Sequence, residues 1–243
     1  MTSSIDIIET KKSKIPLKEC MKNGTLPRFP FSIMISGRSG SGKTNLLLNL
    51  LTRDDYYGNY FDGIIVFSPT AGQFDDQYDV LKLPKSNYMS DFGPDVLNKI
   101  INVRKKLIKK YGIEHVAKKY KLCIILDDII ANRDFLESQE ALKMFALLRH
   151  YLVSVIVLIQ SYNKLPRALR LNCNGIFVFP SLASEKKVLI DEITPSSISK
   201  KTFAKIFDYC TEGQYDFLFI NNHSKPNEKI RKNFNIVDIE DFK

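Results

Sequence analysis

The sequence predicts an α/β fold with a mainly parallel central sheet flanked by helices and with a β-hairpin near the C-terminus. Short apolar runs alternate with segments of helical periodicity from about residue 31 to residue 210, and this alternation is typical of parallel sheets. The run 122–126, Leu-Cys-Ile-Ile-Leu, is continuously apolar, as expected of a strand that helices cover on both faces. A glycine-rich segment, 37–44, connects the first apolar run to a leucine-rich segment, which predicts a strand–loop–helix unit.

Each predicted strand is a short apolar run, and each predicted helix has its apolar residues at helical spacing. The predicted strands are 31–35, 63–68, 122–126, 153–159 and 175–179, followed by a hairpin of 216–220 and 229–234. The predicted helices are about 45–52, 94–111, 137–151, 185–193 and 199–209. Residues 69–93 combine Gly, Pro, Asp and Gln with little periodicity, which predicts a long loop. We expect residues 1–28 to form a basic arm and residues 29–243 a single domain, with the hairpin and tail at about 214–243.

Positive charge is concentrated in one part of the chain. The formal net charge is +9, and residues 96–121 contain nine basic residues and one acid, Glu114. Within 94–111, Pro94 stands where a helix tolerates proline, and apolar residues fall on one side with most lysines on the other. Such a surface fits a polyanion such as DNA, but a merely solvated helix face explains it equally well. The basic residues are Lys99, Arg104, Lys105, Lys106, Lys109, Lys110, Lys118, Lys119 and Lys121.

The composition argues against several classes of protein. The N-terminus Met-Thr-Ser-Ser-Ile-Asp lacks the apolar core of a secretory signal, and the longest strongly apolar stretch, 152–159, is far shorter than the roughly 20 residues that span a bilayer. The spacing of Cys20, Cys123, Cys173 and Cys210 fits neither a zinc site nor a disulfide framework. We therefore expect a soluble, intracellular protein in which Cys123 is a small buried apolar residue.

Residues 37–44, Gly-Arg-Ser-Gly-Ser-Gly-Lys-Thr, match the phosphate-binding pattern G-x-x-x-x-G-K-[ST]. Glycines let backbone N–H groups approach an anion closely, and the following helix directs its positive dipole end toward that anion. Lys43 is expected to reach the β- and γ-phosphates, and the Thr44 hydroxyl to bind Mg²⁺. The predicted nucleotide-binding residues are Gly37, Arg38, Ser39, Gly40, Ser41, Gly42, Lys43 and Thr44.

Polar residues follow two of the other predicted strands. The run 122–126 ends in Asp127 and Asp128, and the run 153–159 ends at Gln160. In P-loop enzymes an acid at the end of a neighbouring strand holds Mg²⁺ opposite the loop hydroxyl, a role that fits Asp127. Asp128 is the predicted catalytic base, and Gln160 is expected beside the γ-phosphate, where its amide can bind the attacking water. Turn acids and strand-end amides without a chemical role are the simpler explanation for each residue taken alone.

Hydrolysis also needs a positive charge against the transition state, which in many such enzymes is an arginine from a neighbouring subunit. Arg149, Arg167 and Arg170 flank the strand 153–159. Arg149 is the first candidate and Arg170 the second, and either could instead be a surface or DNA-contacting residue.

Four sequence blocks carry a resemblance to a known family. They are 31–44 (Phe-Ser-Ile-Met-Ile-Ser-Gly-Arg-Ser-Gly-Ser-Gly-Lys-Thr), 123–128 (Cys-Ile-Ile-Leu-Asp-Asp), 148–151 (Leu-Arg-His-Tyr) and 157–172 (Val-Leu-Ile-Gln-Ser-Tyr-Asn-Lys-Leu-Pro-Arg-Ala-Leu-Arg-Leu-Asn). The chain resembles the genome-packaging ATPases of large DNA viruses and their virophage relatives, the poxvirus-type branch of the FtsK/HerA superfamily. The last block is the most specific, and outside residues 31–180 the similarity is thin.

The resemblance implies a RecA-like P-loop NTPase that hydrolyses ATP with Mg²⁺. It further implies a homo-oligomeric ring, a hexamer or pentamer, that pumps double-stranded DNA into a preformed capsid, with viral capsid or portal proteins as partners. The expected location is the virion or a cytoplasmic virus factory, with no membrane partner. In this family Gln160 would sense the γ-phosphate, and Arg149, eleven residues earlier, stands where FtsK-like members carry an arginine. Asp128 departs from the glutamate that is usual in cellular members, which leaves the identity of the base open.

Three other functions remain compatible with a P-loop. A nucleoside or nucleotide kinase would need a second small-molecule pocket and an arginine-rich lid, and no such lid is recognisable after residue 180. A non-hydrolysing scaffold would bind nucleotide only to set its assembly state. A terminase-type motor would carry a nuclease, but the residues after Gln160 lack a clear cluster of metal-binding acids.

Overall fold

The structure is a computed structural model that describes residues 25–69, 76–90, 92–128 and 133–243. Its strands are β1 (Ser32–Ser36), β2 (Gly63–Phe67), β3 (Tyr88–Met89), β4 (Leu122–Asp127), β5 (Val153–Ile159), β6 (Gly175–Val178), β7 (Leu218–Asn221), β8 (Ile230–Lys232) and β9 (Asn235–Ile236). Its α-helices are α1 (Lys43–Thr52), α2 (Pro94–Tyr111), α3 (Ile113–Lys119), α4 (Arg133–Glu137), α5 (Gln139–His150), α6 (Arg167–Leu171), α7 (Ala183–Ile193) and α8 (Lys200–Cys210).

The described strands form one sheet in the order β3-β2-β4-β5-β1-β6-β7-β8-β9. The first six strands in this order are parallel, and β7, β8 and β9 are antiparallel to their neighbours. At the end of β1, Ser36 is opposite Ile159 of β5 and Val178 of β6. The segments that follow these parallel strands therefore leave the sheet at one edge, which we call the carboxyl edge; the opposite one is the amino edge.

Apolar clusters cover both faces of the sheet, because successive strand side chains point to opposite sides. On β1, Ile33 and Ile35 belong to one cluster, which includes the leucines of α1. Met34 belongs to the other, which includes large buried apolar residues of α2, α5 and α8. This arrangement confirms the predicted α/β fold with a mainly parallel sheet between helices. Cys123 is completely buried in β4, as predicted, and burial raises the pKa of its thiol.

The observed elements differ from the predicted ones in several places, and α3 and α6 are helices that the sequence does not predict. The predicted helix 137–151 is interrupted at Ser138, whose hydroxyl accepts a hydrogen bond from Ala141 N at 3.1 Å and so starts α5 as its N-cap. Within the predicted loop 69–93, the described residues contain two 3-10 helices, Asp76–Leu81 and Lys85–Asn87, and the short strand β3. The hairpin is confirmed as β7 and β8, and β9 adds to it.

Arg104 is one of the nine basic residues of 96–121, but it does not belong to the exposed charges of α2. Its side chain is buried and donates to the backbone oxygens of Tyr151 at 3.0 Å, Tyr120 at 2.7 Å and Leu152 at 2.9 Å. The guanidinium therefore connects α2 to the segments that lead into β4 and β5, and burial lowers its pKa. Arginine suits this role because its five N–H donors can satisfy several carbonyls at once.

Part of the predicted N-terminal arm packs on the domain. Leu26 is buried, the Thr25 carbonyl accepts a hydrogen bond from Asn221 at 2.8 Å, and the Pro27 carbonyl accepts one from Tyr57 at 2.7 Å. The folded unit therefore includes residues 25–28, which the sequence assigned to the arm. Residues 1–24 of that arm lie outside the described residues.

Candidate nucleotide-binding site

The phosphate loop connects β1 to α1 at the centre of the carboxyl edge. Gly40 and Gly42 have φ of +74° and +99°, a left-handed conformation that glycine adopts without strain. Gly37 N donates to Ile159 O at 3.1 Å, and a Cβ on Gly37 would lie 2.5 Å from Ser41 Oγ and 2.8 Å from Phe179 Cβ. The three glycines are therefore required by backbone conformation or by close packing.

The loop and the start of α1 fit a phosphate chain. Gly42 is the N-cap residue of α1, with no side-chain cap and no acidic residue in the first turn, so the helix amides there remain for an anion. Within the described part of the chain, the buried Ser41 hydroxyl has no hydrogen-bond partner. An uncapped helix start next to a buried hydroxyl without a partner is what bound phosphate oxygens would satisfy.

Lys43 lies across the loop, and its ammonium group donates to the Arg38 carbonyl at 2.8 Å. Burial lowers the pKa of Lys43, and the negative charges of Asp127 and Asp128 oppose that shift. The lysine and the two acids thus share one electrostatic environment, although more than 80 residues separate them in the sequence. The structure brings together the two halves of the predicted site.

Asp127 ends β4, opposite Leu158 of β5. Its Oδ2 accepts a hydrogen bond from the Tyr78 hydroxyl at 2.6 Å, and Tyr78 is almost completely buried in the 3-10 helix Asp76–Leu81. The sequence does not indicate a role for Tyr78, because no pattern in the predicted loop distinguishes this tyrosine from its neighbours. A carboxylate that is itself held by a hydrogen bond is typical of metal-binding acids.

Asp128 and Gln160 meet at the same edge. Gln160 Nε2 donates to Asp128 Oδ2 at 3.0 Å, and both side chains are exposed. Asp128 has φ of +50°, a left-handed conformation that aspartate tolerates better than most residues, and this turn separates its direction from that of Asp127. The predicted base and the predicted γ-phosphate sensor are therefore hydrogen-bonded to each other.

The two candidate arginines occupy different environments. Arg170 is buried, and its guanidinium donates to both carboxylate oxygens of Glu192, at 3.0 and 2.6 Å, and also to the Leu165 carbonyl. Burial would raise the pKa of Glu192, but the hydrogen bonds and charge of Arg170 hold it below its usual value. An arginine committed to a buried ion pair of its own subunit is poorly suited to reach a neighbour, which disfavours the second candidate.

Arg149 is exposed near the end of α5, beside a cavity of about 790 Å³ that also borders Ser32 and Val155. Because Ser32 and Val155 lie near the starts of β1 and β5, this cavity opens at the amino edge. Burial, together with the charges of Arg149 and Arg28, lowers the pKa of His223 in the cavity wall, which indicates a positive potential there. Arg149 therefore lies at the amino edge, opposite the carboxyl edge at which the phosphate loop of the same chain lies.

Residues 19–238 match the family model described as Poxvirus A32 protein. The chain belongs to this family. Protein 075L of Invertebrate iridescent virus 6, which is described as uncharacterized, is 23% identical over 195 residues, covering 80% of this chain and 72% of the relative.

Solved structures of the same fold include B204, the DNA-packaging ATPase of Sulfolobus Turreted Icosahedral Virus. It superposes with a TM-score of 0.58 at 19% identity, over 86% of this chain and 99% of that chain. The genome packaging NTPase B204 of Sulfolobus turreted icosahedral virus 2, in complex with ATPγS, gives 0.57 at 18% identity, over 86% and 98%. The cytoplasmic domain of the Type VII secretion ATPase EccC of Thermomonospora curvata gives 0.54 at 15%, over 85% of this chain and 25% of that one.

The match to this family confirms the predicted resemblance to poxvirus-type packaging ATPases, and the enzyme class is a P-loop ATPase. The solved structures confirm the fold. Among the described residues, none of the helices combines the length and apolar character that a membrane span needs.

Proposed function

We propose that this chain is the ATP-hydrolysing subunit of a motor that translocates double-stranded DNA into a preformed viral capsid. The observation that carries the proposal is the convergence of the phosphate loop, Asp127 and the Asp128–Gln160 pair at one sheet edge, in a member of the Poxvirus A32 protein family. The shared fold with two viral packaging NTPases supports the same conclusion.

In the proposed mechanism, the amides of residues 37–44 bind the phosphate chain, and Lys43 exchanges the Arg38 carbonyl for β- and γ-phosphate oxygens. Thr44 and Asp127 would hold Mg²⁺, which when bound supplies positive charge against the phosphate oxygens. The donor set fits this ion, since Mg²⁺ in such sites takes one or two protein oxygens and completes its coordination with phosphates and water. Tyr78 fixes the orientation of the Asp127 carboxylate.

Asp128 and Gln160 are proposed to activate water. Nucleotide binding would bring the γ-phosphate beside Gln160, so that its amide turns from Asp128 to the γ-phosphate or to the attacking water. Asp128 then becomes free to accept a proton from that water, which acts as the nucleophile. The hydrogen bond between the two side chains supports a resting arrangement in which the base is occupied until nucleotide arrives.

The exposed position of Arg149 supports a role in trans. We propose that, in a ring, the amino-edge surface of one subunit approaches the carboxyl edge of the next, where Arg149 stabilises the transition state. Ring assembly at the capsid, in a virus factory or on the virion, would then couple hydrolysis to loops that bind DNA phosphates. Contacts of that type are independent of sequence and weaken as salt rises.

The test is ATP turnover with and without double-stranded DNA, read beside the oligomer mass. We expect DNA to stimulate hydrolysis, and Lys43→Ala to lower kcat by at least about a hundredfold, because its charge acts on the transferred phosphoryl group. The melting temperature should stay unchanged, since Lys43 is partly exposed and its ammonium group donates to a loop carbonyl and not to the core. Turnover close to wild type in this variant would contradict the site, and phosphate transfer to a nucleoside would favour the kinase alternative.

A further inference from the structure

A second, smaller pocket of about 210 Å³ opens directly beside the phosphate loop. The loop and α1 contribute polar groups to its lining, and most of its aromatic rings come from the β6–β9 side of the sheet, with Arg53 and Tyr56 after α1 also lining it. Its principal lining residues are Gly42, Asn45, Asn49, Phe179, Tyr215 and Phe217.

The order of the strands shows which end of a nucleotide faces this pocket. β1, which leads into the loop, has β5 and β4 on one side and β6 and β7 on the other. Asp127 and Gln160 end or follow β4 and β5, so the γ-phosphate lies on that side of the loop. Phe179 directly follows β6, and Tyr215 precedes β7. Because the phosphates form a linear chain, the nucleoside must leave the loop on the side of Phe179 and Tyr215.

The aromatic wall has the chemistry of a base-stacking surface. Tyr215 is 61% exposed, yet its ring lies against the loop, with Cδ1 3.4 Å from where a Cβ on Gly42 would be. The Phe179 and Phe217 rings line the same pocket and are buried, with their centroids 5.3 Å apart. An exposed tyrosine in a pocket with two buried phenylalanines offers an apolar ring face to a planar ligand.

The opposite wall offers amides. Asn45 and Asn49 are one turn apart on α1, and Asn49 Nδ2 donates to both the side-chain oxygen of Asn45 at 2.9 Å and its backbone oxygen at 2.8 Å. This pairing holds the Asn45 amide in a fixed position next to the first turn of the helix. Amides at this place are able to hydrogen-bond a sugar hydroxyl or the edge of a base.

We infer that this pocket is the base subsite of the nucleotide site, in which a purine base stacks on Tyr215 and the amides of α1 bind its edge or the ribose. The volume is below the roughly 300–1,000 Å³ that encloses a whole drug-sized ligand, so it suits one part of a nucleotide. The inference rests on the proposed ATPase function and adds to it the residue that distinguishes a nucleotide from a bare phosphate chain.

The test compares ATP with inorganic tripolyphosphate, which lacks a base, in DNA-free turnover assays. Removing an aromatic ring from a stacked base weakens binding by about tenfold or more, so Tyr215→Ala should raise KM for ATP and Kd for ADP by that factor. Its kcat should change little, because Tyr215 is remote from Asp127 and Gln160. Inhibition by tripolyphosphate should be the same in wild type and variant, since this probe occupies only the loop.

Two further variants separate stacking from other effects. Tyr215→Phe keeps the ring and should retain the wild-type KM. Tyr111→Ala removes another exposed tyrosine, at the end of α2 and far from the loop, and serves as the control. An unchanged KM in Tyr215→Ala, or a parallel loss of tripolyphosphate inhibition, would overturn the base subsite while leaving the ATPase intact. A wild-type chain that binds ADP but shows no turnover would instead refute the proposed function, and the ADP titrations would still test Tyr215.

Discussion

The two edges of the sheet carry opposite chemistry. The carboxyl edge combines the glycine loop with Asp127, Asp128 and Gln160, which lie at or directly after the ends of buried strands. The amino edge carries Arg149 beside a cavity of positive potential, and the lysine-bearing C-terminal half of α2 points toward the same edge, since helices run antiparallel to the strands they connect. Asp127, Asp128 and Gln160 are therefore at one edge of a subunit and Arg149 is at the other, so that Arg149, if it is the catalytic arginine as proposed, must act on the site of a second copy.

The largest expected effect on turnover comes from replacing Arg149, the arginine at the amino edge. If the arginine acts across a subunit interface, Arg149→Ala should lower kcat by about a thousandfold while leaving ATP binding intact, because arginines of this type are worth 10³–10⁵ in rate. Mixing equal amounts of Arg149→Ala and Lys43→Ala should restore part of the activity. In such mixed rings, some interfaces pair an intact loop from one variant with an intact arginine from the other. The measurement is turnover of the mixture against each variant alone.

Arg170→Ala is the matched comparison for Arg149→Ala, because Arg170 is buried in an ion pair of its own subunit. Its removal leaves the carboxylate of Glu192 without its main partner inside the fold, which should cost roughly 2–4 kcal/mol of unfolding free energy. Loss of activity in this variant should follow loss of folded protein, and mixing with Lys43→Ala should not rescue it. Rescue of Arg170→Ala, together with failure to rescue Arg149→Ala, would reverse the roles of the two arginines.

The residues of the site differ in whether their positions can be predicted from the sequence. Strand-end residues such as Asp127 and Gln160 could be predicted to meet, because parallel register places the ends of neighbouring strands at one edge. The roles of Arg104 and Tyr78 could not be predicted, since each depends on contacts with segments distant in sequence. Tyr78 is 49 residues from its partner Asp127, and Arg104 is 48 residues from its partner Leu152. Composition alone counts a buried arginine as surface charge.

A smaller effect is expected from the basic surface of α2. Lys105, Lys106, Lys109 and Lys110 are exposed, on the side opposite the buried Leu97. If they contact DNA phosphates, replacing all four with glutamate should weaken binding at low salt and reduce the slope of log affinity against log salt by roughly 3–4. The measurement is DNA binding over a series of salt concentrations.

A control with the same change in net charge separates local contact from general repulsion. Lys85, Lys187, Lys201 and Lys225 are also exposed and lie away from α2. Their replacement by glutamate should leave the salt slope much closer to the wild-type value. Equal losses in the two quadruple variants would mean that α2 is a solvated face without a specific role.

The smallest effect is expected for Tyr78, which we propose orients the metal-binding carboxylate without taking part in catalysis. Tyr78→Phe removes the hydroxyl that donates to Asp127 Oδ2 and leaves the buried ring in place. Loss of a group that orients a metal-binding carboxylate typically weakens metal affinity by about 10–100-fold. The Mg²⁺ concentration for half-maximal turnover should therefore rise, while kcat at saturating Mg²⁺ stays near wild type. Tyr88→Phe is the control, because its hydroxyl donates to the Tyr78 backbone oxygen at 3.1 Å and not to the acid. An unchanged Mg²⁺ requirement in Tyr78→Phe would restrict the tyrosine to a packing role and leave Asp127 positioned by β4 alone.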